Sequence, residues 1–331
     1  MKLYLIRHGE TVDNVAGLYA GVRDSALTNY GVQQAQRLGQ YFEKTQVRFT
    51  HIFSSPLTRA YKTAEAVRKA QPSARTGEEN LQVVKLPDLI EQDFGFYEGK
   101  PFYARSDPKR TGRDAHHERH KNDPGFVDIE SKESMGQRAD KFLDEHLLPL
   151  LKDAEAEDMT IAVVAHGMLL SRLWKKLLLH LPRKSLTIAP EITATRDNLV
   201  LEHLGGWSNT GYLELALSKD KVSEAATVEC SEDAKAAESD LQTLPPSVPP
   251  PMEEKDASVV VESNSTSVQE DSKKASAEVQ TNFEGWSTTI VAIDSKQHLV
   301  GLKRQRGGIG RLAHDEGQKK LDGFFKKQRT S

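Results

Sequence analysis

The stretch MTIAVVAHGMLLSRLWKKLLLHL, from Met159 to Leu181, constrains the fold more than any other part of the chain. Its first half is apolar without alternation, the pattern of a strand covered on both faces, and such strands belong to parallel sheets flanked by helices. Its second half opens as a helix at about Gly167 and is apolar around most of its circumference, as a helix packed on a sheet must be. Trp174 then belongs to the core. The apolar run stops at His166, where strand gives way to helix.

The N-terminus repeats this pattern. Lys2 to Ile6 read as a short buried strand that stops on Arg7, His8 and Gly9, followed by a polar loop to Thr28. Thr28 caps a helix over about Tyr30 to Lys44, with Val32, Ala35, Leu38 and Phe42 at helical spacing. THIFSS is a second strand; Ser55 is a natural N-cap and Pro56 a natural first helical residue, which places Arg59 in the first turn. LQVVKLPDLIEQDFG supplies a strand and a turn carrying Glu91, and a helix from about Glu133 to Ala156 leads back to the stretch above. Strands alternating with helices predict an α/β fold, a three-layer α/β/α arrangement with a mostly parallel central sheet. Ligands on such sheets collect at the carboxyl ends of the strands, the rim that holds Arg7, His8, Arg59 and His166.

Composition bounds the rest. A hydrophobic fraction of 37% over 331 residues supports one good core with part of the chain outside it. From Ser218 to Thr281 there is no Phe, Trp or Tyr, and Asp220 to Gln280 hold 14 acidic against 5 basic residues, a balance of −9. Residues 218–282 are therefore expected to be a disordered acidic insertion. STTIVAIDSKQHLVGLKRQR then offers two strand-like runs, so the predicted domain is 1–217 with 283–305, and 306–331 form a basic tail. A boundary between two domains is the alternative. The net charge of −3 gives no overall basic excess, so sequence-specific nucleic-acid binding is not expected. No run reaches the roughly 18 to 20 apolar residues of a membrane span, and the start of the chain lacks a signal-peptide core. An intracellular, cytoplasmic protein is expected. Cys230 is the only cysteine, which excludes an intrachain disulfide and a thiolate metal site.

Converging arginines and histidines suit a phosphate, whose transfer depends on positioning and on stabilising the charge of its oxygens. Arg7 and Arg59 can grip oxygens bidentately, where a lysine offers only a point charge. A histidine among arginines is driven neutral, and neutral imidazole is a nucleophile, which makes His8 the candidate to carry phosphate. Glu91 is placed to protonate a departing alcohol, and His166, backed by the helix start at Gly167, to donate to a phosphate oxygen.

LIRHGET with Asn14, then SSPLTRAYKTAE, LIEQDFGFYEG and VVAHGMLL, in that order, resemble the histidine phosphatase superfamily, also called the phosphoglycerate-mutase-like family. The likeness covers about Met1 to Leu217 and the strands after Phe283. It implies phosphohistidine at His8, a phosphate pocket of Arg7, Arg59 and His166, and Glu91 as proton donor. Asn14, Gly21 and Gly167 match substrate-lining positions, and neither metal nor cofactor is implied. Mutases of the family usually carry Ser or Thr before the glycine matching Gly21 and a tyrosine three residues after the acid. This chain has Ala20 and Phe94 there, which favours the phosphatase branch, acting on a small phosphorylated metabolite or a phosphoprotein. Mutase-type phosphoryl transfer and a non-catalytic scaffold are the alternatives.

His116, His117 and His120 have a spacing suited to a metal if helical, but the stretch from Lys100 to Pro124 reads as a substrate-selecting loop without the usual accompanying ligands. Lys109, Arg110 and Arg113 either meet a second anionic group or are solvated. From Gly301 to Ser331 there are 9 basic and 3 acidic residues. QKKLDGFF there resembles the peptide that docks on PCNA, the replication sliding clamp: Gln318, Leu321, Phe324 and Phe325 match every position. A nuclear fraction is expected if the tail docks there, and a helix folded back on the domain is the alternative.

Overall fold

β1 (Lys2–Arg7) is buried from Leu3 to Ile6, and because successive strand residues face opposite ways it feeds two cores at once. Leu3 and Leu5 join one core cluster, Tyr4 and Ile6 the other. The computed structural model describes residues 1–72, 81–101, 117–118, 120–153, 156–195, 199–219, 283, 285–305 and 308–315. After β1 come α1 (Val12–Ala16), α2 (Asn29–Lys44), β2 (His51–Ser54), α3 (Thr58–Lys69) and β3 (Val83–Lys85). α4 (Lys132–Phe142), β4 (Thr160–Ala165), α5 (Gly167–His180), β5 (Leu186–Ile188), β6 (Tyr212–Lys219) and β7 (Trp286–Ser295) follow.

The strands form one seven-stranded sheet in the order β3-β2-β4-β1-β6-β7-β5, with only β6 reversed against its neighbours. This is the expected mostly parallel α/β sheet. On one face α2 and α3 bring Leu38, Phe42, Ala64 and Val67 onto Tyr4, Ile6 and Val164. On the other, α4 and α5 bring Phe142, Leu170 and Trp174 onto Leu5, Ile161 and Val163. Each of the buried Leu, Ile, Val and Phe side chains among these stabilises the fold by about 1.5–3 kcal/mol. Thr28 caps α2 as expected, its side chain accepting from Gly31 N–H. β6 and β7 are hydrogen-bonded neighbours although residues 220–282, outside the described residues, separate them in sequence.

Four local features differ from the sequence reading. α3 starts at Thr58, with Leu57 rather than Ser55 at the N-cap. The cap comes from a distant side chain: Asp24 accepts from Thr58 N–H at 3.0 Å. The polar loop after Gly9 contains α1, whose Thr11 and Asn14 form a capping box; five residues are too few to show helical periodicity. The helix expected from Glu133 to Ala156 passes into a π-turn at Leu143–Leu147 and a short helix at Leu148–Leu151. Finally, packing continues past residue 305. Leu312 carbonyl accepts from Asn29 N–H and His314 N–H donates to Leu27 carbonyl; just before them, Arg304 pairs with Glu10 through Nη1 and Nη2.

Among the described residues, no helix is long and apolar enough to cross a membrane.

Candidate active site

The parallel pairing of β1 with β4 sets Arg7 opposite Ala165, so His8 and His166 leave the sheet side by side. Their ring centroids lie 5.1 Å apart, and both rings are buried. Thus two sequence motifs 158 residues apart meet through strand register alone.

His8 Nδ1 lies 2.7 Å from the carbonyl oxygen of Gly9. A carbonyl only accepts, so Nδ1 carries the hydrogen and Nε2 keeps its lone pair. Burial, then the charges of Arg59 and Arg7, hold the His8 pKa well below the usual histidine range. At neutral pH His8 is an uncharged imidazole with Nε2 as its reactive nitrogen.

The peptide that fixes this tautomer is itself held on both sides. Glu10 N–H, in the same peptide plane as the Gly9 carbonyl, donates to Gln34 Oε1 at 2.9 Å, and Gly9 N–H donates to Thr63 Oγ1 at 3.0 Å. Gln34 and Thr63 lie on α2 and α3, so both helices set the orientation of the His8 ring. Gln34→Leu leaves the Glu10 N–H without a partner. It is expected to lower stability by about 1–3 kcal/mol in urea unfolding and any His8-dependent rate by on the order of 10-fold.

Packing requires Gly9. A Cβ there would stand 2.7 Å from the Gly31 carbonyl oxygen of α2. At Gly31 a Cβ would meet the Glu10 carbonyl at 2.0 Å, so the His8 loop and α2 touch backbone to backbone.

The two arginines divide their work differently from the sequence reading. Arg59 is 1% exposed and its donors go to the protein: Nη1 to Arg23 carbonyl, Nη2 to Ala20 and Gly21 carbonyls, Nε to His166 Nδ1. It therefore shapes the 20–23 loop while adding charge beside His8. Arg7 binds Trp207 carbonyl through Nη1, but its buried Nε has no partner among the described residues. Arg7 is the guanidinium with a donor left for a phosphate oxygen.

His166 also departs from expectation. Arginine only donates, so Nδ1 accepts from Arg59 and the hydrogen sits on Nε2, which donates to Ser55 Oγ at 2.8 Å. Burial, then Arg59 and His8, push its pKa well below the ordinary range. With both ring nitrogens engaged, His166 supports His8 and Arg59 from behind.

Glu91 takes the helix start that was expected to face phosphate. Its Oε1 accepts from Leu169 and Gln92 N–H, at 3.0 and 2.9 Å, and Oε2 accepts from Met168 N–H at 3.2 Å. It thus caps α5, whose own N-cap residue His166 makes no side-chain capping bond to the helix. Burial raises its pKa although these three N–H groups and Arg59 act in the opposite direction. A buried carboxyl held up in pKa beside a neutral imidazole is the pairing that general acid catalysis requires.

Arg7, His8, Asn14, Arg59, Glu91 and Gly167 line one cleft of about 300 Å³. Gly21 lies in the wall behind it, where a Cβ would meet the Gln92 carbonyl at 2.0 Å; Ala20 takes the lining position. Several positioning residues escaped the sequence reading. Glu98 accepts from the N–H groups of Gly21, Val22, Arg23 and Phe94, tying two loops together. Asn209 donates to the His8 carbonyl and to Asn14 Oδ1. Thr210 N–H donates to the carbonyls of Arg7 and His8, from a left-handed backbone at φ 57° that a β-branched residue rarely adopts. The polar cluster WSNTG before β6 was the available signal, since it falls on the catalytic rim.

Residues 3–203 match the profile of the histidine phosphatase superfamily (branch 1). The chain belongs to this superfamily. Among curated superfamily relatives, "Probable fructose-2,6-bisphosphatase TIGAR A" of Danio rerio is 40% identical over 98 residues, 29% of this chain and 36% of that protein. The 2,3-bisphosphoglycerate-dependent phosphoglycerate mutase of Bartonella bacilliformis is 30% identical over 169 residues, 50% of this chain and 75% of that protein. A mycobacterial glucosyl-3-phosphoglycerate phosphatase solved with VO3 is 25% identical with a TM-score of 0.47, covering 66% of this chain and 91% of that one. The chain thus spans about a third of the first relative and three quarters of the second.

Among the described residues there is no group of three or more His, Cys, Asp or Glu side chains placed to hold a metal ion. His120 Nδ1 lies 2.7 Å from Asp123 and His117 3.7 Å from Asp128, while His116 is outside the described residues. Lys109, Arg110, Arg113 and the tail positions Gln318, Leu321, Phe324 and Phe325 also lie outside them.

Proposed function

We propose that the chain hydrolyses a phosphomonoester through a phosphohistidine at His8. The observation that carries this reading is the 2.7 Å contact from His8 Nδ1 to the Gly9 carbonyl, which leaves Nε2 unprotonated in a cleft with an arginine donor and a carboxyl acid. Nε2 attacks phosphorus while the bond to the alcohol oxygen breaks, and protonated Glu91 gives that oxygen its proton. Arg7 Nε–H meets the oxygens of the transferring group, and the Arg59 charge balances them. Water then attacks phosphorus, Glu91 takes its proton, the phosphorus–nitrogen bond breaks, and inorganic phosphate leaves with His8 neutral again.

Mutase chemistry differs only in the acceptor, a second hydroxyl instead of water, and the Bartonella relative carries that name. Ala20 in the cleft wall and Phe94, in place of the residues usual in mutases, support water. Assaying release of inorganic phosphate from p-nitrophenyl phosphate, and from 3-phosphoglycerate with the 2-phosphoglycerate product quantified, separates the two. Hydrolysis without isomer formation is expected; isomerisation faster than release would establish the mutase reading.

We also propose that Gln318, Leu321, Phe324 and Phe325 dock on the sliding clamp, and that part of the protein is nuclear as a consequence. The match at all four positions and the surrounding lysines support it. Binding of the full chain to purified PCNA is expected to be lost in Phe324→Ala/Phe325→Ala; binding that survives the double change contradicts it.

A further inference from the structure

Beyond its phosphate end, the cleft is walled by Leu18, Tyr19, Phe94, Met168 and Trp207. Met168 is 45% exposed although its backbone N–H holds Glu91, so an apolar side chain remains partly open to solvent in the lining of the cleft that holds the acid. Tyr19 and Phe94 pack at 4.8 Å between ring centroids, with their planes tilted by 48°. The Trp207 indole N–H donates to Ser171 Oγ on α5 at 3.0 Å while its carbonyl holds Arg7, which fixes the ring beside the phosphate cradle. Among the described lining residues the cations are Arg7 and Arg59 alone, both at the His8 end, and Arg59 has committed four of its five N–H donors to carbonyls and His166.

An anion placed against aromatic and thioether surface loses its water without compensation. An apolar or aromatic group gains from the same surface, through desolvation and ring contacts. We propose that the phosphomonoester this site selects has a leaving alcohol with an apolar or aromatic face, held against the Tyr19, Phe94, Met168 and Trp207 side chains that line the cleft. The inference rests on the phosphatase reading and narrows it to a substrate class.

The test compares kcat/KM of the full chain for 2-phenylethyl phosphate and 3-phosphoglycerate, whose leaving groups are both alkyl alcohols, so that the difference reports the cleft and not bond reactivity. At least about a 10-fold preference for the phenylethyl ester is expected, the range that one apolar contact in a pocket supplies. Phe94→Ala and Met168→Ala should each lower the ratio of kcat/KM for the phenylethyl ester to that for 3-phosphoglycerate about 10-fold. Phe94 belongs to a buried cluster, so Met168→Ala, which alters only a half-exposed side chain, keeps the test decisive if Phe94→Ala fails to fold. Equal or greater efficiency with 3-phosphoglycerate, or equal losses on both esters, overturns the inference. No phosphate release from any ester, p-nitrophenyl phosphate included, overturns the phosphatase reading and the selectivity with it.

Discussion

His8→Ala is expected to lower kcat for p-nitrophenyl phosphate by about 10⁴-fold or more, the scale on which nucleophile removal acts in covalent catalysis. The fold should tolerate the change. Among the described residues the His8 side chain bonds only to the Gly9 carbonyl of its own loop, and its neighbours are held through backbone groups by Gln34, Thr63 and Asn209. His166→Ala should lose less activity and more stability, because that ring ties Arg59 to Ser55 across two elements. Comparing kcat and urea midpoints of the two variants separates the attacking histidine from the supporting one. The reverse ranking, with His166→Ala the more damaging to kcat in a folded protein, would exchange their roles.

Glu91→Gln is the second large effect, an expected loss of about 10²–10³ in kcat for an alkyl phosphomonoester. Its sign with pH follows from its environment. Burial raises the Glu91 pKa, and the group is needed protonated, so activity is present below that raised pKa and falls as pH climbs through it. His8 is needed neutral and its pKa is pushed down, so its loss of activity on acidification lies below the usual histidine range. The wild-type profile should be a plateau bounded by His8 on the acid side and Glu91 on the basic side. In Glu91→Gln the basic limb disappears and the acid limb stays. With p-nitrophenyl phosphate, whose leaving group hardly needs a proton, the same variant should lose much less. A basic limb that survives in Glu91→Gln, or equal losses on both esters, assigns the acid elsewhere.

The two apolar runs ending in His-Gly carried most of the fold in the sequence. Uninterrupted burial at Leu3–Ile6 and Ile161–Ala165 implies a sheet covered on both faces, and parallel register then brings His8 to His166. Residue types identified Arg7, His8, Arg59 and Glu91 because phosphate chemistry needs those groups on that rim. Hydrogen-bond direction was hidden. Nothing in the string shows that Arg59 donates to the carbonyls of residues 20, 21 and 23, or that the first amides of α5 are taken by Glu91 and not left for an anion. Both depend on contacts between residues far apart in the chain.

The same holds for elements without periodicity. Thr210 and Asn209 hold the His8 backbone from a loop whose pattern shows only that it is polar, and the pairing of Arg304 with Glu10 joins positions 294 residues apart. The start of α3 moved because Asp24 supplies the cap that Ser55 was expected to provide. Local chemistry names good capping residues, and tertiary contacts choose among them.

The most direct test of the central claim is to trap the covalent intermediate. Full-length protein mixed with a ³²P-labelled alkyl phosphomonoester and quenched in alkali, where phosphohistidine survives, should carry label on the peptide containing His8. Wild type and Glu91→Gln should both be labelled, and His8→Ala should carry none while His166→Ala keeps some. Label that persists in His8→Ala, or turnover with no labelled histidine in any sample, would contradict the account.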